Sequence, residues 1–335
     1  MNSGDGGGKE RATIEDVARG SGVSTGTVSR VLNNRAGVSA STRERVLTTI
    51  EMLDYRPDHA ARTLSRRQLS IGLSLARGAR RLTPFLMLFM EHLIARLQQN
   101  GYRFEELETG PNGLPARLPS GVILHGAHED DSRLELLLRT QVPFVLVGRA
   151  AGVRWVAPDD RRGGLEATRH LIKLGHSDIV HLGGLMSQQA FQDRYQGYMQ
   201  ALSEAGIGQT REQLLDGEFT VLGGYRAVRR YFEAGNSASA IFAASDEMAL
   251  GAIAALEDLG LSVPLDVSVV GFDDLPEVAD GLDVAGGLTT VRQDIRRITD
   301  TAVTLLDEGL QGLPVRSELV PVRLIARGTT ARRRG

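Results

Sequence analysis

Residues 12–34 read ATIEDVARGSGVSTGTVSRVLNN. The pattern predicts two short helices joined by a tight turn. Thr13 is a good N-cap, because its hydroxyl accepts from an exposed first-turn N–H, and Asp16 three residues on reaches back in a capping box. Ile14, Val17 and Ala18 recur at i, i+3, i+4 and give the helix one apolar face. Gly20 and Gly22 are expected to end it, since glycine takes positive φ without strain. Ser24 caps the next helix, whose inner face is Val28, Val31 and Leu32. Thr25, Gly26, Thr27, Ser29, Arg30 and Asn33 point outward, a row of short polar groups with one arginine that suits base edges and phosphates. Two helices around a glycine-containing turn form the helix-turn-helix pattern, with the second helix as reader. On these residues alone, an ordinary helical hairpin inside a larger core is the alternative.

Downstream, Asn33 to Val38 is a polar loop and Ser39 or Ser41 caps a third helix. Val46, Ile50 and Leu53 recur at i, i+4, i+7 and are expected to close a three-helix mini-core. Tyr55-Arg56-Pro57 ends it, because the residue before proline disfavours helix. Residues 11–57 therefore read as a head, preceded by a flexible leader at 1–10. Residues 58–67, DHAARTLSRR, carry too little apolar surface to hold a helix unaided.

The net charge of -2 hides an asymmetry. Lys9 to Arg67 holds eleven Lys and Arg against seven Asp and Glu, so the head is basic while residues 68–335 carry -5. A basic head on an acidic body implies nucleic acid at one end only. At 335 residues, 41% hydrophobic and 24% charged, the chain suits two or three globular units. It has no cysteine, which excludes disulfides and thiolate metal sites and fits a reducing cytoplasm. MNSGDGGGKE lacks the apolar core of a signal peptide, and no apolar run is long enough for a bilayer, so a cytoplasmic protein without membrane attachment is expected.

From Ser70 short apolar runs alternate with amphipathic ones, the sign of βαβ units and a parallel sheet. Strands are expected at Ile71–Leu75, Val122–Leu124, Phe144–Val147, Ile179–Leu182, Ala240–Ala243 and Val267–Phe272. Helices are expected at Phe85–Asn100, Arg162–Leu174, Phe191–Ala205, Gly223–Ala234 and Glu247–Leu259. Gly101, Gly175, Gly206 and Gly260 sit just past helix ends. After Tyr102–Leu107 comes ETGPNGLPARLPS, whose three prolines cannot hold a helix.

The run TIEDVARGSGVSTGTVSRVLN closely resembles the signature of the lac repressor family of bacterial transcription regulators. VSASTRERVLTTIEMLDYRPDHAARTL resembles that family's third helix, its LxYxP step and its hinge. GVILHG, VPFVLVGR, GGLEATRHLIKLGHSDIVHLGG, AIFAASDEMALGAIAALEDLG, VPLDVSVVGFDD and LTTVRQD resemble its effector domain, itself similar to periplasmic sugar-binding proteins. The fold class implied is α plus α/β: a three-helix head and hinge, then two α/β lobes around a cleft. The lobes would comprise 68–158 plus 289–320 and 159–288 plus 321–331, with crossings near Pro158–Arg161, near Gly287–Thr290 and near residue 320. Two departures stand out. The segment after Leu107 trims the first lobe, and SLARGARRLTPFL replaces the family's usual polar-Asn-Pro-Phe-Phe loop at the cleft.

The resemblance also implies site residues. Thr13, Ser24 and Tyr55 join the reader helix on DNA. The hinge becomes a helix on the operator, with Leu64 as a minor-groove wedge beside Ala61 and Arg62, a device that unstacks a base step and bends the duplex. Asp58, where the family often has Asn or Ser, puts a negative charge near that DNA. Arg194 and Asp246 match positions that hold effector hydroxyls or acidic groups, chemistry suited to a guanidinium fork and a carboxylate. The alternatives for them are a surface ion pair and a helix cap. Phe219 matches a position for an aromatic ring against ligand, or is core. From their place after a strand alone, Asp273 and Asp274 either face the cleft or only order that loop. Phe85 is the first-lobe candidate, and His125 and Arg149 end strands in that lobe.

Other motifs fail. GGGKE lacks the spacing of a phosphate loop, the histidines His125, His128, His170, His176 and His181 form no metal box, and GHSD holds adjacent residues that cannot make a triad. No enzyme signature, cofactor or metal is expected. The reading is a homodimeric, effector-responsive DNA-binding regulator, a repressor of carbohydrate-use genes on a palindromic operator. Dimer contacts are expected around Phe85–Arg96, and TTARRRG carries no leucine heptad for a tetramer. A transport sugar-binding protein and an enzyme on the same scaffold are the rival functions.

Overall fold

A computed structural model of the chain describes residues 12–32, 37–55, 69–75, 83–107, 114–115, 117–126, 131–184, 188–208, 213–279 and 286–333. Asn33, Ala61, Arg62 and Leu64, with the rest of the hinge, lie outside the described residues.

The head consists of α1 (Ile14–Ser21), α2 (Thr25–Leu32) and α3 (Ala40–Met52). The capping box is present: Thr13 Oγ1 accepts from Asp16 N at 3.3 Å and Asp16 accepts from Thr13 N at 2.9 Å. Gly22 alone ends α1, at φ 66°. Gly20 instead stays helical and lets α3 approach closely, since Thr49 Cγ2 lies 2.8 Å from the position a Cβ would take. Val17, Ala18, Val28, Val31 and Val46 are the buried mini-core, with Ile50 and Tyr55 packed on it. Leu53 differs from expectation. It falls beyond the last helical turn as the C-cap and is 39% exposed.

Among the described residues the body has two six-stranded sheets. The first contains β1 (Ser70–Leu75), β2 (Arg103–Glu106), β3 (Gly121–His125), β4 (Phe144–Val147), β5 (Trp155–Pro158) and β11 (Ser317–Val320), in the order β11-β5-β4-β3-β1-β2. The second contains β6 (Ile179–Gly183), β7 (Leu214–Asp216), β8 (Ala240–Ala243), β9 (Ser268–Asp273), β10 (Thr289–Arg292) and β12 (Arg323–Ile325), in the order β12-β10-β9-β8-β6-β7. Pairing is parallel except for β10 with β12, as βαβ connections require. The first lobe carries α4 (Pro84–Gln99), α5 (Ser132–Thr140) and α11 (Ile295–Leu310); the second carries α6 (Asp160–Lys173), α7 (Gln189–Glu204), α8 (Val221–Glu233), α9 (Asp246–Asp258) and the short α10 (Pro276–Ala279).

Two features correct the expected boundaries. β10 hydrogen-bonds β9 and β12, so residues 289–292 sit in the second sheet, and that change of lobe falls between Arg292 and Ile295. α11, IRRITDTAVTLLDEGL, lies outside the helices expected from the sequence. Its Ile295, Ile298, Ala302, Val303, Leu305 and Leu306 nevertheless form a buried stripe against α4, β4 and β5. In the trimmed region, the described residues between β2 and β3 contain no helix. Leu107 folds over Gly72, where a Cβ would stand 2.5 Å from it, and Leu114 is buried with Val122, Leu124, Leu137 and Leu146. In the second lobe, glycines let helix backbones touch: a Cβ on Gly164 of α6 would stand 2.2 Å from the Arg194 carbonyl oxygen in α7.

Candidate functional site

In the head, Ser24 Oγ accepts from Thr27 N at 3.2 Å and pairs with the Thr27 hydroxyl at 3.0 Å, which fixes the start of α2. Thr25, Gly26 and Arg30 are exposed, and Thr27 and Ser29 half-exposed, on one side of α2. Val28 and Val31 are buried on the other. Arg45 donates from Nε to the Ser21 carbonyl at 2.9 Å and satisfies the end of α1. Thr13 is exposed at the head of α1, with its hydroxyl donating to Asp16 at 2.8 Å. Tyr55 packs on the mini-core.

The second site lies where second-lobe strands end, the edge at which open α/β folds take ligands. Arg194 is 6% exposed, in the second turn of α7. Its Nε donates to Asp160 Oδ1 at 2.8 Å, Nη1 donates to the Ala244 carbonyl, and Nη1 lies 3.8 Å from Asp273 Oδ1. The guanidinium carbon stands 3.7 Å over the Phe272 ring centre. Asp273 ends β9 at φ 125°, a strained conformation for a non-glycine residue, and accepts from Gln293 Nε2 at 2.5 Å. Gln293 N also donates to the Asp273 carbonyl at 3.2 Å. Burial holds the carboxyls of Asp160 and Asp273 above the usual range, against the pull of Arg194.

Asp246 sits differently from expectation. It is fully buried, with Oδ1 accepting from Thr290 Oγ1 at 2.5 Å and Oδ2 from Leu275 N at 2.9 Å. The α9 cap is Ser245, whose Oγ accepts from Met248 N at 3.2 Å. Asp246 thus staples β8, β9 and β10 beneath the site, and burial raises its carboxyl too. Beside it, burial lifts half-buried Glu247 to about 7. Phe219 takes φ 51° and lies on Gly184, where a Cβ would stand 2.2 Å from the ring.

On the first-lobe side, Phe85 is half-buried at the start of α4, its ring 6.2 Å from His125, and Phe89 is 5.3 Å from the same imidazole. Burial and the charge of Arg133 push His125 down to about 4, so it is neutral at pH 7. His181 is core: fully buried among Phe191, Tyr195, Tyr198 and Phe242, with Nδ1 3.0 Å from the Phe242 carbonyl. Among the described residues no group of His, Asp or Glu is placed to hold a metal ion.

Sequence reasoning missed Asp160 and Gln293. Each lies at a change of lobe, and each binds a residue singled out for the cleft. The only local hint was the Asp159-Asp160 pair ahead of a helix, and Asp159 is indeed the cap, accepting from Arg162 N at 3.1 Å.

A three-helix head that presents a polar reader helix, on two α/β lobes, defines the architecture of a bacterial transcription regulator. Residues 13–58 match the family described as bacterial regulatory proteins, lacI family, and residues 168–330 match the periplasmic binding protein-like domain. The chain is 35% identical over 334 residues to the transcriptional regulator CelR of Thermobifida fusca, covering 95% of this chain and 96% of that one. It is 32% identical to the repressor PurR of Erwinia tasmaniensis, over 93% and 94%. Among solved structures, a CelR–cellobiose complex superposes with a TM-score of 0.71 at 32% identity, covering 95% of this chain and all of that one. The lac repressor dimer bound to operator and the anti-inducer ONPF gives 0.70 at 29% identity, over 96% and all. The chain belongs to the lacI family of bacterial regulatory proteins, a family of transcription regulators and not of enzymes.

Proposed function

We propose that this chain is a homodimeric repressor whose hold on a palindromic operator is set by a carbohydrate bound between the lobes. The observation that carries this reading is the likeness, over nearly the whole chain, to a regulator solved with cellobiose. The cleft chemistry agrees with it. Arg194 and Asp273 offer a donor fork and an acceptor to vicinal hydroxyls, and Phe219 and Phe85 offer rings to sugar faces. Asp246 holds the floor that positions them. The protein would act on chromosomal DNA in the cytoplasm; among the described residues no helix is long and apolar enough to cross a membrane.

Calorimetry of the full chain against cellobiose and a panel of other neutral sugars tests the effector, with operator affinity measured in parallel. Asp273→Asn keeps the volume and removes the charged acceptor. It should weaken the active sugar about tenfold to a hundredfold, the value of a charged hydrogen bond of roughly 1.5–3 kcal/mol, and leave effector-free operator binding near wild type. If no carbohydrate changes either heat or operator affinity, the effector reading fails.

On DNA, Thr25, Thr27, Ser29 and Arg30 would face the major groove with Asn33, while Gly26 leaves part of the reading to DNA shape. Arg30→Ala should weaken operator binding and, where Arg30 meets phosphate, lower the salt slope by about one. Leu64→Ala should lose operator affinity by an amount on the order of a few kcal/mol if Leu64 wedges a base step. A variant that bends the operator as far as wild type would make Leu64 a linker residue.

A further inference from the structure

We infer that Arg149 latches the two lobes together across the cleft and holds their relative placement. Arg149 follows β4 of the first lobe. Gly148, at φ 139°, turns the chain out of the first sheet there. Beyond that turn both the backbone and the side chain of Arg149 are used by the other lobe. Its N–H donates to Gln189 Oε1 at 2.8 Å, and its Nη2 donates to both oxygens of Asp193 at 2.5 Å. Gln189 and Asp193 stand four residues apart, on one face of the first turns of α7. The N-cap of that helix, Gln188, makes no side-chain cap bond.

This contact is unlike the crossings. The three crossings are covalent and allow a change of angle; a hydrogen-bonded ion pair can open. Asp193 is 11% exposed and Arg149 36%, so the pair is sheltered enough to be held and open enough to exchange with water. Asp193 is also the residue before Arg194. One turn of α7 therefore carries the latch and the guanidinium that binds Asp160 and faces Asp273. Any ligand that shifts this turn strains the latch, and a broken latch frees the turn. A device of this kind biases a two-state equilibrium of lobe placement without regard to the effector's identity.

The chain has no cysteine, so two spin labels can be placed cleanly. Leu138→Cys on α5 and Glu233→Cys on α8 put one exposed label on each lobe of the full chain. Electron-electron resonance without ligand then reads the interlobe distance. Arg149→Ala should broaden the distribution and move it to longer distance, and 1 M salt should do the same in part to the unsubstituted pair. The swap Arg149→Asp with Asp193→Arg should restore the narrow distribution. Gln189→Ala, which removes only the second bond, should give a smaller change in the same direction. A distribution for Arg149→Ala that overlays the parent, or a swap as open as Arg149→Ala, overturns the latch.

Discussion

The two faces of the cleft are braced in different ways. In the first lobe the buried Arg133 binds Asp131, two residues away, at 2.6 Å. It also donates to the Ser74 carbonyl at 3.1 Å and the Gly126 carbonyl at 3.3 Å. That brace ties the ends of β1 and β3 to the start of α5 and stays inside one lobe. In the second lobe the buried Arg194 binds Asp160, 34 residues away at one change of lobe. Across from it Asp273 is bound by Gln293, 20 residues away at another. A ligand on the first face perturbs a local brace, whereas a ligand on Arg194 or Asp273 pulls directly on two of the three crossings. The second lobe is thus the face from which occupancy can be converted into a change of angle.

Asp160→Ala leaves Arg194 buried without its closest carboxylate and should cost on the order of 3–5 kcal/mol in urea unfolding. Asp131→Ala should also be costly, for the same reason in the other lobe. The two should differ in where the damage spreads. By hydrogen exchange, Asp160→Ala should loosen β9 and the segment around Gln293, and Asp131→Ala only the ends of β1 and β3. Matching exchange patterns in the two variants would mean that the faces are not different in kind.

Much of the frame behind this contrast was legible in the sequence, and its decisive contacts were not. The capping box of Thr13 and Asp16, six of the strands and the glycines after four helices are local signals, and each lies within a few residues of the element it marks. Leu53 misled because a heptad-like spacing ran one step past the helix end. LTTVR is short and follows glycines, which suits a crossing, and nothing local says that β9 and β12 will flank it as β10. Nothing local to Asp246 says that Thr290 and Leu275, 44 and 29 residues on, bond to its two oxygens. Asp160, Gln293 and Asp193 acquire their roles only when the chain passes between lobes, so no window of sequence contains them.

Packing separates the two lobes as well. Gly164→Ala drives a methyl group into the Arg194 carbonyl, where the Cβ position is 2.2 Å from a backbone oxygen. Helix backbone cannot yield cheaply, so about 1–3 kcal/mol of stability should be lost. Gly121 in the first lobe is the control. Its Cβ would meet side-chain ends, Ile71 Cδ1 and Leu306 Cδ1, both at 3.1 Å. Those atoms can give way, and Gly121→Ala should cost less than about 1 kcal/mol. Thermal unfolding of both variants decides whether the second lobe is the stiffer one, and equal losses would say that it is not.

The smallest effect concerns charge. Glu247 is lifted from its usual 4.5 to about 7 by burial first and by Asp246 second, and it also raises Asp273. A raised carboxyl means that the folded chain binds more protons than the unfolded one between about pH 4.5 and 7. Stability from this group is therefore fullest below pH 4.5 and is lost as pH rises through 7. His125 across the cleft has the opposite sign: pushed down to about 4, it favours the fold above its usual 6.5 and loses that contribution as pH falls toward 4. His181 acts in the same direction as His125, so the test must isolate Glu247. Glu247→Gln keeps the shape and removes the charge. Because the site is half exposed and screened by solvent, the gain should be modest, a melting temperature about 2–4 °C above wild type at pH 8. The difference should shrink toward zero below pH 4.5, where wild-type Glu247 is already protonated. A gain that is the same at pH 8 and pH 4 would come from packing, and the acidic floor of the second lobe would then not set it apart from the first.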